Sequence, residues 1–143
     1  YLHKPAQGIL TPTVWIHLAP IGVIPVSLLN VAEQLPFQAL RELAIGVMLL
    51  LWGFGVWWLV MASLLTLSAR AAGQLPFALS WWGFTFPIGA FVAESLRLSK
   101  VLGWSSTFAI GVVAWLLLCL FWLVTLFRTA RGVASGAIFQ PHP

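Results

Sequence analysis

Charged residues divide the chain into four long apolar runs, at 5–32, 43–69, 71–93 and 101–127. Each exceeds the roughly 20 residues that a helix needs to cross a hydrocarbon core. The pattern predicts membrane spans at about 11–31, 43–67, 76–96 and 104–127, after a polar lead-in at 1–10 and before a polar tail at 128–143 expected to be mobile. Prolines separate the spans into two kinds. The first carries Pro20 and Pro25 and the third carries Pro87, whereas the second and fourth contain none. A proline inside a helix removes a hydrogen bond and bends the axis. The expected fold is therefore all-α and integral to the membrane, with two helical hairpins that each pair a kinked inner helix with a straight outer one.

Composition agrees. Hydrophobic residues make up 61% of the chain and charged ones 7%, with mean hydropathy +0.99, far from the balance of a soluble domain. The first run is too long for a signal peptide and lacks a basic lead and a cleavage site. Because the chain begins at Tyr1 rather than Met, it is expected to be a fragment or a processed piece. The net charge of +4 comes from bases spread over the segment ends, which reads as membrane anchoring and not as nucleic-acid binding. Lys4, Arg70, Arg128 and Arg131 fall on one side and Arg41, Arg97 and Lys100 on the other, too even a split to orient the chain.

The third run contains Ser80-Trp81-Trp82-Gly83-Phe84-Thr85-Phe86-Pro87-Ile88-Gly89-Ala90. Pro87 leaves the carbonyl of Gly83 without its usual donor, which hydrocarbon tolerates only against protein or a water-filled cavity. One helical face carries Leu79, Gly83, Phe86, Ala90 and Ala93, a single large ring among mostly small residues. Such a face suits the wall of a narrow pore, or the close approach of a second helix. The motif Pro20-Ile21-Gly22 recurs as Pro87-Ile88-Gly89 and aligns Trp15 with Trp82 and Ala19 with Phe86. Gln34-Leu35-Pro36-Phe37 similarly recurs as Gln74-Leu75-Pro76-Phe77. Repeats with sites at interrupted helices are common in transporters.

The Trp81-Trp82 pair followed by Phe84-Thr85-Phe86-Pro87 resembles the ninth helix of the tellurite-resistance/dicarboxylate transporter family, which includes TehA-type bacterial proteins and plant slow anion channels. The resemblance implies ten helices in five hairpins around a central pore, with the odd helices inside, and identifies the four spans with helices seven to ten. It makes Phe86 the residue that plugs the pore. Gly83, Ala90 and Ala19 would then shape the lining, with Pro87 and Pro20 at the kinks. It further implies a homotrimer in the bacterial inner membrane, with the carboxy terminus in the cytoplasm. Expected partners are membrane lipid, the remaining helices of the protein and a small anion: a C4-dicarboxylate, a tellurite- or sulfite-type oxyanion, or a halide or nitrate. Transport would be passive or proton-linked. Two hairpins cannot close a five-hairpin pore, so this chain alone should not conduct. The alternative is a non-transporting four-helix subunit that packs against a partner complex.

Little else could carry chemistry. Glu33, Glu42 and Glu94 each lie close in sequence to a base, and pairing with Arg41, Arg97 or Lys100 is the expected role. His17, inside the first span, is expected to be neutral and bonded to another helix. Cys119 has no partner thiol, and no spacing suits a metal or a cofactor, so no enzymatic activity is expected.

Overall fold

Pro20 and Pro87 decide where the inner helices begin. Lacking an N–H, neither can donate to the carbonyl four residues back, so an α-helical ladder cannot run unbroken through it. The first turn of a helix has no use for those donors, and a proline costs little there. The computed structural model, which describes residues 8–75 and 77–136 with side chains from residue 13, follows this logic twice. A 3-10 helix at Gly8–His17 gives way to α1, Leu18–Ala32, and a second at Leu79–Phe84 gives way to α3, Thr85–Leu102. In both cases the proline is the third residue of the α-helix. The interruption is thus a change of helix type just before the proline, rather than a bend within one continuous α-helix. Within α1, Pro25 lies beyond the first turn, in the helix interior. Lys4, His3, His142, Pro76 and the end of the tail lie outside the described residues.

The proline-free segments form long helices, α2 at Gln38–Ala71 and α4 at Ser105–Ala134. α4 runs past Phe127, where the apolar run stops, into a stretch whose Arg128, Ala130 and Arg131 are good helix formers. The turn into α4 is short: Gly103 adopts φ 69° and its N–H bonds the carbonyl of Ser99 at 2.8 Å, a left-handed helix end that glycine alone adopts cheaply. Three helical stretches, Thr13–Ala32, Gln38–Ala71 and Ser105–Ala134, are long and apolar enough to cross a membrane. α3 is shorter at 18 residues and carries Glu94, Arg97 and Lys100, but with its 3-10 lead it extends from Leu79 to Leu102. The described residues contain helices and no strand.

α3 sits at the centre, packed against α1, α2 and α4. Glycines let two of these neighbours come close. A Cβ on Gly22 of α1 would lie 2.4 Å from the backbone carbon and oxygen of Ala90, and one on Gly55 of α2 would lie 2.6 Å from the Phe91 ring. Around them an aromatic knot fills the core: Phe84 stacks on Phe121 at 4.5 Å, and Trp15 meets both edge-on. Indole N–H groups in such a core need acceptors. Trp15 donates to Thr66 and Trp52 to Ser95, each at 2.9 Å, and Trp58 donates to the carbonyl of Val14 at 2.9 Å. These bonds fasten α2 to the inner helices. The far sides of α2 and α4 expose large apolar side chains such as Leu50, Leu64, Leu116 and Leu123, as surfaces in contact with lipid do.

Candidate pore-lining face

The 3-10 to α transition sets the environment of Phe86. It is the second residue of α3 and is 68% exposed, while its successors Pro87 and Ile88 are buried. Below it, Thr85 donates its hydroxyl to the Trp82 carbonyl at 2.8 Å and so occupies an acceptor at the junction. Residues at sevenfold spacing continue the open side of α3: Phe86, Ala93 and Lys100 are all exposed. The other sides of α3 are covered by α1, α2 and α4. An inner helix therefore keeps one uncovered stripe, headed by a large ring.

The other sequence-predicted lining residues are distributed around this stripe. Gly83 and Ala90 are half-buried, and the backbone of Ala90 lies against Gly22. On α1, Ala19 is half-buried and Pro20 exposed. Ala19 and Phe86 hold equivalent places, each the second residue of an α-helix that follows a 3-10 helix. Trp15, aligned with Trp82 by the repeat, is instead wholly buried and bonded to Thr66. The small residues thus serve helix packing at Gly22–Ala90 and border an open face at Phe86–Ala93.

Three polar expectations need correction. Glu94 is not paired at a segment end. Its side chain is fully buried, and neither oxygen has a hydrogen-bond partner among the described residues. The cause is helical phase, because Glu94 falls on the same side as Phe91, Ser95 and Leu98, all of which face the bundle. Counting from Phe91 by three and four would have found this. Among the described residues, His17 does not bond another helix either. Its Nδ1 meets the Val14 carbonyl of its own segment at 3.3 Å, and its ring lies 5.0 Å from that of Trp58 on α2. Glu33 does pair as expected: it forms an ion pair with Arg97 and lies 4.0 Å from Arg41, which joins the ends of α1, α2 and α3. Glu42 instead accepts a bond from the Gln38 amide at 2.8 Å, and no ion pair joins it to a base among the described residues. No group of three or more potential metal ligands occurs among the described residues.

Residues 1–130 match the sequence pattern of SLAC1, the voltage-dependent anion channel family. The chain belongs to this family. Membership agrees with the resemblance carried by Trp81 to Pro87, and the family is one of membrane anion channels and not of enzymes. Two uncharacterized transporters of Methanocaldococcus jannaschii are each 40% identical to it, over 99% and 97% of this chain. A sulfite efflux pump of Trichophyton rubrum is 35% identical over 54 residues, covering 38% of this chain and 13% of the pump. No solved structure gives a significant match. The chain spans 41% of the length of either Methanocaldococcus relative.

Proposed function

We propose that the complete polypeptide carries small anions across the membrane through a pore whose wall includes α1 and α3, with Phe86 as its gate. The observation that carries this reading is the uncovered ring of Phe86 on an inner helix whose other sides are packed. Both inner α-helices continue from a 3-10 helix within the apolar run, so the positive ends of the two combined helix dipoles fall at the starts of the 3-10 segments, upstream of Ala19 and Phe86. An anion passing the apolar part of the lining, about four helical turns from Lys100, gains from such ends. A bulky apolar ring at the narrowest point closes the path mechanically. Gly83 and Ala90 border that point, and Pro20 and Pro87 set where the helices start.

A sulfite-type oxyanion is the first substrate to test, because the Trichophyton rubrum relative is a sulfite efflux pump. C4-dicarboxylates, tellurite and halides are the comparison set, and the movement is passive or proton-linked. We place the carboxy terminus in the cytoplasm, with Arg70, Arg128 and Arg131 on that side, and expect a homotrimer.

The reading is tested by accessibility in the complete polypeptide. Phe86→Cys, in a background freed of other cysteines including Cys119, should react with a charged thiol reagent and lose anion flux on modification. A thiol that reacts while flux is untouched would place residue 86 outside the path.

A further inference from the structure

Away from the Phe86 face, the backbones of α2 and α4 stay apart among the described residues, and both helices line a cavity of about 350 Å³. α4 lines it with a stripe at helical spacing from Leu117 to Arg128, and α2 with one from Ser63 to Arg70. The floor is Trp15 and Trp81, backed by the aromatic knot that separates the cavity from the inner helices. The stripe on α4 rises about 16 Å along the axis, from mid-span to the helix end.

Its polarity is concentrated at one end. The hydroxyl of Ser63 is spent on the Leu59 carbonyl and that of Thr66 on the Ala62 carbonyl, so neither offers a proton to a ligand. The charged donors are Arg70 and Arg128. Arg128 is held over the Trp81 and Phe77 rings at 5.2 and 5.9 Å, and Arg131 lies beside it in an adjoining recess. No carboxylate among the described residues pairs with any of the three: Glu33 and Glu42 serve the opposite end, and Glu94 is buried. An apolar groove that runs along a span and ends in two unpaired guanidiniums is complementary to a headgroup phosphate with an acyl chain attached.

We propose that this groove binds an anionic phospholipid, its phosphate between Arg70 and Arg128 and one acyl chain along α4. A free oxyanion would gain nothing from the apolar length, and a zwitterionic lipid would bring its own cation to the arginines. Basic pockets between transmembrane helices select anionic headgroups on this ground, at about fivefold in affinity for each basic residue and so about thirtyfold for two.

The test is native mass spectrometry of the complete polypeptide in detergent, titrated with phosphatidylglycerol and with phosphatidylcholine. The expected result is one saturable phosphatidylglycerol site, favoured about thirtyfold over phosphatidylcholine. That preference should vanish in the Arg70→Gln/Arg128→Gln double variant, persist in Lys100→Gln at the opposite end, and survive excess inorganic phosphate. Equal affinity of the wild type for the two lipids overturns the proposal whatever the variants do. Displacement by phosphate would assign the arginines to a soluble anion, and a groove shielded from a photoreactive lipid would assign it to another protein segment; either result also overturns it.

Discussion

Gly22→Ala isolates the contact on which the two inner helices depend. The added Cβ would sit 2.4 Å from the Ala90 carbonyl carbon and oxygen and 2.8 Å from the Phe91 nitrogen. Non-bonded carbons prefer roughly 3.5–4.0 Å, so α1 and α3 must part by about 1 Å. The obstructing atoms are backbone and cannot swing aside. A gap of that size forfeits up to about half of the dispersion energy of each contact along the seam, and overpacking of this kind costs about 1–3 kcal/mol. Helix propensity works the other way, since alanine is favoured over glycine by about 1 kcal/mol. Gly46→Ala in α2 gives the propensity gain alone, because nothing lies within 4 Å of its Cβ. Unfolding of the complete polypeptide in mixed micelles with rising dodecyl sulfate, followed by tryptophan fluorescence, should place Gly22→Ala about 1–3 kcal/mol below Gly46→Ala. Equal stability of the two variants would refute the close crossing of α1 and α3.

Two further substitutions probe the polar interior. Thr66→Val removes the acceptor of the buried Trp15 indole while keeping shape, and should cost about 1 kcal/mol in the same unfolding assay; no loss would mean that the bond contributes nothing. Glu94→Met replaces a buried carboxyl that has no described partner with an apolar chain of similar length, and should raise stability by about 1 kcal/mol or more. A marked loss would reveal a partner for Glu94 in the remainder of the polypeptide.

The sequence made the membrane class, the four helical segments and their alternation legible, because apolar run length and proline position are local properties. Proline marks where an α-helical ladder cannot pass, so Pro20 and Pro87 announced the two interruptions. They did not announce the change to 3-10 helix, since the choice between a bend and a new helix type depends on how upstream carbonyls such as Trp82 find donors. Phe86 stood out through its motif. Its exposure could not be read from it, because that depends on which sides of α3 its three neighbours cover. Distance along the chain puts Glu94 close to Arg97, but helical phase, which turns it toward the bundle with Phe91, Ser95 and Leu98, decides its place. The Arg70–Arg128 groove joins positions far apart in sequence, and only the gap between α2 and α4 brings them together.

Anion flux into liposomes containing the complete polypeptide, compared between wild type and Phe86→Ala, tests the gate most directly. The exposed ring heads the open stripe of α3 and does not fill the core, so its removal should leave folding intact and raise the flux of a sulfite-type anion. A folded Phe86→Ala protein whose flux is unchanged or lower would contradict the gate.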